Sequence, residues 1–322
     1  MDLSVVIPLY NEEESLPELV TWIDRVVKEK GYSHEVILVD DGSKDKSWEV
    51  IENLGTQFSE VRGIRFQRNY GKSAALHVGF EAAEGDVVIT MDADLQDSPD
   101  EIPELYRLIT EEGYDLISGY KQKRYDPISK TIPSKFFNYV TRIVSGIHNL
   151  HDFNCGLKSY RKEVVKNIEL YSEMHRYIPV LAKWAGFDKI GEKVVEHRAR
   201  KYGTTKFGLN RFVNGFLDLI TITFTEKYLK RPMHFFGTWG VFFAMIGGCV
   251  LVYLAFIRLV LGIWISHRIP ALLFGSSTFL LGMILLSTGL LAELMSRNST
   301  RRNEYKIKDR LENTNQQISF KN

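Results

Sequence analysis

A chain of 322 residues exceeds one ordinary domain, so a large globular unit with something appended is expected. Its 41 Lys and Arg nearly balance its 40 Asp and Glu, which gives no electrostatic reason to expect nucleic acid as a partner. Cys155 and Cys249 are far apart and lack metal-ligand spacing, which fits a reducing compartment and excludes a disulfide framework.

The N-terminus passes from Met1-Asp2 straight into an apolar run, so no signal peptide is expected and the first part should stay in the cytoplasm. "LSVVIPLY" (3–10) reads as a strand, followed by helical periodicity that puts Leu16, Leu19, Val20, Ile23, Val26 and Val27 on one face. "HEVILVDDGS" (34–43) precedes a helix around Trp48, Val50, Ile51 and Leu54, and "VRGIRFQRN" (61–69) precedes "GKSAALHVGFEAAEG". "GDVVITMDADLQD" (85–97) then leads to a helix start with Ser98 as N-cap, Pro99 at the first helical position and Glu101 three residues after the cap. The alternation predicts an α/β fold, a mostly parallel sheet covered by helices.

Such sheets bind ligands beyond the carboxyl ends of their strands, where "PLYNEEE", "VDDGS", "QRNYGK" and "MDADLQD" all fall. Four polar clusters at successive strand ends describe one site. Neither G-x-G-x-x-G nor a P-loop is present, so the phosphates of any nucleotide must be held by metal and scattered cations. Asp92, Asp94 and Gln96 recur at every second position, which in an extended chain turns them to one face. Side-by-side carboxylates call for a positive charge between them, and a hard divalent cation suits.

After Gly119, "YKQKRYDPISKTIPSKFFNYV" is basic and aromatic, irregular before becoming helical. Phe212, Val213, Phe216, Leu217, Ile220 and Phe224 recur at helical spacing, either as a core helix or as an interfacial amphipathic one. Residues 235–257 and 269–292 are uncharged and apolar, each able to span roughly 30 Å of hydrocarbon as a helix. Lys227, Lys230 and Arg231 precede the first run and Arg297, Arg301, Arg302, Lys306, Lys308 and Arg310 follow the second, while the connection holds only Arg258 and Arg268. The positive-inside rule puts both ends of this hairpin in the cytoplasm. The expected organisation is a catalytic domain over 1–208, a juxtamembrane helix over 209–231, the hairpin over 232–296 and a basic polar tail over 297–322.

"SVVIPLYNEEESLPELV", "VILVDDGSKDKSWEVI", "RNYGKSAALHVGF", "DADLQDSPDEIPEL" and "GLKSYRKEVV" resemble family 2 glycosyltransferases. More narrowly, the chain is similar to polyprenyl-phosphate glycosyltransferases such as dolichyl-phosphate mannose synthases, undecaprenyl-phosphate glucosyltransferases and aminoarabinose-type lipid transferases, over roughly residues 3–230. The resemblance implies a GT-A fold, a nucleotide-sugar donor, a divalent metal (Mg or Mn) and transfer to a polyprenyl phosphate in the cytoplasmic membrane, with inversion at the anomeric carbon. A UDP-linked donor is favoured over a GDP-linked one by "RYIPVLA" and "CGLKSYRKEVV", which are similar to the aminoarabinose-type enzymes.

By that resemblance Asp92, Asp94 and Gln96 are metal ligands, with Asp92 also on the donor phosphates and Asp94 catalytic. Pro8, Tyr10, Glu12, Asp40, Asp41, Arg68 and Lys72 would hold the donor nucleotide, although "DDGS" is also ordinary turn chemistry. Lys123, Arg124 and Lys135, then Arg200 and Lys206 in "RKYGTTKF", are the candidates for the acceptor phosphate. Asp152, before "FNCG", is the first choice if a general base exists, and Cys155 is read as a small packing residue. A processive polysaccharide synthase is disfavoured, because "EMHRY" stands where Q-x-x-R-W is expected and two spans enclose no channel. A non-catalytic nucleotide-sugar binder would not need both "DADLQ" and the basic stretch, and a nucleotidyltransferase leaves the anchor unexplained. Association of copies is left open, with Gly247, Gly248 and Gly282 as small residues suited to helix pairing.

Overall fold

The computed structural model describes residues 1–122, 138–171, 173–196, 198, 221, 224 and 232–297. The chain divides into two compact units, Met1–Ile220 and Thr221–Asn322.

The first unit is built on β1 (Leu3–Leu9), α1 (Leu16–Glu29), β2 (His34–Asp40), α2 (Ser47–Gln57), β3 (Val61–Arg65), α3 (Lys72–Ala82), β4 (Val87–Thr90), α4 (Ile102–Thr110) and β5 (Leu116–Tyr120). It continues through β6 (Lys158–Arg161), α5 (Lys162–Asn167), α6 (Ile178–Trp184) and β7 (Ile190–Val194). The seven strands form one sheet in the order β3-β2-β1-β4-β6-β5-β7. β6 runs antiparallel to both β4 and β5; the other pairings are parallel. β1, β2 and β4 are buried along their whole length, as expected of strands covered on both faces. The apolar face of α1 is the predicted one, with Leu16, Leu19, Val20, Ile23, Val26 and Val27 all buried.

The helix start at Ser98 differs from the predicted capping box. Pro99–Glu101 make a 3-10 turn leading into α4, and Ser98 donates to the Asp100 carboxylate instead of accepting from the backbone. Glu101 is taken by β7 and the chain after it, accepting from the Lys193 ammonium and the Glu196 N–H. A further helical stretch covers 138–145, where Asn138, Thr141 and Ser145 are buried while Tyr139, Ile143 and Val144 are exposed. That reverses the usual amphipathic arrangement.

In the second unit α7 (Pro232–Leu259) and α8 (Ile269–Arg297) run past the limits read from sequence. Both are long and apolar enough to cross a membrane, with mean hydropathy of 2.4 and 2.0. Their backbones meet at glycines. A Cβ at Gly247 would lie 2.3 Å from the Phe279 amide nitrogen, and one at Gly282 would lie 2.4 Å from that of Ala244. These small residues are therefore used inside the hairpin, not on a face open to a second copy. Gly248 is different, since a Cβ there meets only the Phe279 ring at 3.9 Å. Arg258 sits with its guanidinium 4.2 Å from the centre of the Trp264 ring in the connection.

The candidate active site

The first two loops at the carboxyl edge are stitched together. Asn11, in the left-handed region at φ 55°, accepts from the Lys44 N–H at 2.8 Å and donates its own N–H to Ser43 at 2.9 Å. The Glu12 N–H donates to Ser47 at 2.9 Å, and the Glu12 carboxylate accepts from Ser15 at 3.2 Å. Pro8 is an inner position of β1, in register with Val39 of β2. Tyr10 is half-buried at the end of that strand.

Asp40 and Asp41 are turned inward. The fully buried Asp40 accepts from the Ser43 N–H at 2.8 Å, and Asp41 accepts from the N–H groups of Tyr70 and Gly71 at 2.7 and 2.9 Å. Burial, joined by the charge of Asp40, pushes the Asp41 carboxyl upward against those two donors. In this arrangement Asp40 braces its own turn, while Asp41 ties that turn to the loop before α3. Gly42 (φ 71°) admits no side chain, since a Cβ would lie 2.5 Å from the Arg68 carbonyl carbon. Arg68, expected on a phosphate, lies with its guanidinium 4.8 Å from the centre of the exposed Tyr70 ring.

The acidic stretch is a turn, not the extended segment read from its spacing. β4 ends at Thr90, Leu95 has φ 59°, and the Gln96 N–H donates to Asp94 at 3.2 Å. The alternation survives in another form. Met91, Ala93 and Leu95 join the hydrophobic core, while Asp92 and Gln96 between and after them stay partly exposed. Asp92 accepts a charged hydrogen bond from Lys72. Burial acts to raise the Asp92 carboxyl, but the Lys72 and Lys121 ammoniums outweigh it and hold the group well below the usual carboxylate range. The backbone at Gly156 presses on the same group, where a Cβ would lie 2.5 Å from Asp92 Oδ2.

Several further residues complete the site. Asp97, fully buried, has the Lys121 ammonium 2.7 Å from Oδ1 as its counter-ion. Burial, with the charges of Asp92 and Asp94, pushes Asp97 up. Lys158 opens β6 opposite Thr90 and Ser118, buried, with its ammonium on the Cys155 carbonyl; burial pushes it down. His175 Nδ1 lies 3.0 Å from the Ser73 hydroxyl. Asp152 is buried, accepts from the Asn154 N–H at 3.1 Å and donates its own N–H to Glu192 at 3.0 Å, which fixes the loop leading to Gly156. Asp97 and Lys121 stood inside motifs noticed for their neighbours, whereas Lys158, Gly156 and His175 reach the site only through the placement of β6 and the chain around it. Lys123, Arg124, Lys135, Arg200 and Lys206 lie outside the described residues.

Among the described residues no three His, Cys, Asp or Glu side chains converge as a ready ligand set. The donors present are two carboxylates and an amide, with Asp92 in a cradle that a Cβ at position 156 would fill. Such a set fits a hard divalent cation whose remaining ligands come from phosphate oxygens and water.

The glycosyl transferase family 2 model matches residues 4–169. The chain belongs to glycosyl transferase family 2. Over 300 residues it is 36% identical to the dodecaprenyl-phosphate galacturonate synthase of Rhizobium johnstonii, covering 92% of this chain and 88% of that one. It is equally 36% identical to the undecaprenyl-phosphate 4-deoxy-4-formamido-L-arabinose transferase of Aeromonas hydrophila, with 92% and 89% covered. The glucosyl-3-phosphoglycerate synthase of Mycobacterium tuberculosis, solved with Mn2+ and UDP-glucose, superposes with a TM-score of 0.54 at 21% identity, covering 70% of this chain and 78% of that one. This family 2 enzyme is a glycosyltransferase with the GT-A fold.

Proposed function

We propose that this glycosyltransferase moves a sugar from a nucleotide-sugar, UDP-linked in preference to GDP-linked, to a polyprenyl phosphate at the cytoplasmic membrane face, with inversion. The observation that carries the reading is the union in one chain of a carboxylate pair at the carboxyl edge of a GT-A sheet and two helices of membrane-spanning length. Relatives named as a dodecaprenyl-phosphate galacturonate synthase and an undecaprenyl-phosphate 4-deoxy-4-formamido-L-arabinose transferase align with 92% of the chain, which supports the reading. Flanking cations favour both ends of the hairpin on the cytoplasmic side. The exposed Tyr139, Ile143 and Val144 suit a catalytic unit working against lipid.

A phosphomonoester has its second ionisation near pH 6, so the acceptor is already largely a dianion at neutral pH. One of its oxygens forms the new bond to the anomeric carbon while the bond from that carbon to the nucleoside diphosphate breaks and the electron pair leaves with the β-phosphate. The dianion has less need of a general base than a sugar hydroxyl; Asp152, the candidate for that role, also holds the loop that reaches Gly156. Asp92, Asp94 and Gln96 would hold a divalent cation, which when bound supplies Lewis-acid stabilisation of the leaving diphosphate. Pro8, Tyr10 and Glu12 border the place of the nucleoside, with Arg68 and Lys72 on the diphosphate side. Lys123, Arg124, Lys135, Arg200 and Lys206 orient the acceptor phosphate for in-line attack.

The test uses full-length protein in detergent with undecaprenyl phosphate and a panel of UDP- and GDP-sugars, with and without manganese. One UDP-sugar should give a metal-dependent lipid-linked product, and Asp94→Ala should lower its rate by about 100-fold or more. Nucleotide binding without lipid product from any donor would remove the lipid acceptor from the reading.

A further inference from the structure

Asp92 already has a positive partner. Lys72 opens α3, and the residues before it are pinned, because Asp41 holds the N–H groups of Tyr70 and Gly71. From that fixed start the Lys72 ammonium reaches Asp92 Oδ1, while Gly156 crowds the same carboxylate, Oδ2 most closely. Lys121, bound to Asp97, lends a second positive field to the same carboxylate. The acidic turn is therefore compensated from within the protein, and among the described residues no three-ligand metal cluster stands ready.

We propose that Lys72 is a built-in counter-ion of Asp92 that competes with the divalent cation, and that the diphosphate of the donor relieves the competition by taking the ammonium over. This rests on the reading of Asp92, Asp94 and Gln96 as cation ligands. A carboxylate oxygen bonded to an ammonium is a poorer ligand, and a divalent ion beside that ammonium is repelled by it. Anionic phosphate oxygens offer Lys72 a stronger set of acceptors at the moment they bring their own ligands to the cation. Cation alone then binds weakly, and cation with nucleoside diphosphate binds strongly. By linkage each raises the affinity for the other by the same factor.

The experiment is a titration of the full-length protein in detergent with Mn2+, free Mn2+ being read by its paramagnetic resonance signal, first without nucleotide and then with UDP. Lys72→Met should tighten binding of Mn2+ alone by about tenfold, the scale of one lost charge interaction in a partly shielded site. The same change should shrink the enhancement produced by UDP. Lys72→Gln keeps a hydrogen-bonding side chain without the charge and should act in the same direction, so it serves if the Met variant does not fold. Lys72→Arg keeps the charge and should stay close to wild type. Unchanged or weaker binding of Mn2+ alone by both neutral variants would overturn the proposal and leave Lys72 a phosphate ligand only. Lipid product formation is independent of this readout: its absence with tightened Mn2+ binding sinks only the acceptor assignment. Wild-type protein that binds no Mn2+ even with UDP overturns the cation reading and this inference together.

Discussion

Gly156 has no room to become anything else. Its missing side chain is the space filled by the Asp92 carboxylate, and Lys72 restrains that carboxylate through Oδ1. Gly156→Ala should force Asp92 to rotate and lower turnover by about 100-fold, since misplacing a reacting group by an ångström has that effect. Steady-state kinetics beside an unchanged circular dichroism spectrum would show it, and wild-type turnover would mean that Asp92 moves freely. Cys155, the residue before it, is buried, and burial first, then the Asp97 charge, push its thiol to about 12 against the pull of Lys121. Asp92 and Asp94 were legible in sequence because they stand together after an apolar strand. The backbone partners of Asp40 and Asp41 were not legible, because an acid that braces a turn and one that grips a ribose look alike in one dimension. Lys121 and Lys158 were illegible as site residues, since a lysine's burial depends on which strands flank it.

At the scale of elements, runs such as Val36–Val39 announce buried parallel strands, and the first four strands with their helices could be read directly. β6 could not. Its four residues, "KSYR", carry neither an apolar run nor an alternation, and its place between β4 and β5 is set by pairing alone. The two long helices were readable from length and hydropathy, but the partner of their glycines was not. Gly247→Val should drive α7 and α8 apart and destabilise the hairpin by about 1–3 kcal/mol, the usual cost of overpacking. Gly248→Val, whose Cβ meets only the Phe279 ring at 3.9 Å, should stay near wild type. Thermal unfolding of the two variants in the same detergent separates them; equal midpoints would mean the helices can part without loss.

Across the whole molecule, the edge of the sheet opposite the site is tied by one buried acid. Glu35 of β2 accepts from the Ser4 hydroxyl of β1 at 2.6 Å, from Arg62 of β3 at 2.6 Å and from the Glu84 N–H ahead of β4 at 2.7 Å. Burial opposes its charge, but these donors prevail and hold the carboxyl below its ordinary value. A depressed acid contributes stability that is present above its unfolded pKa and is lost as pH falls through the folded one. The contribution of Glu35 should therefore fade as pH falls through about 4.3, where unfolded glutamate is half protonated. Glu35→Gln should be less stable than wild type at pH 7, and the gap should narrow on acidification from about pH 5 to pH 3. A gap independent of pH would mean that the charge of Glu35 is irrelevant to its binding role.

The position of β6 also orders events on the ribosome. β5 is translated before either of its sheet neighbours exists, because β6 and β7 both follow it in the chain. Until residues 158–161 emerge, β4 presents a bare edge and β5 has nothing to pair with, which is the condition under which nascent chains need holding. That interval closes with β7 at Val194, well before α7 begins at Pro232. A translational pause before β6 has emerged should prolong the vulnerable state, and one placed after β7 has emerged should not.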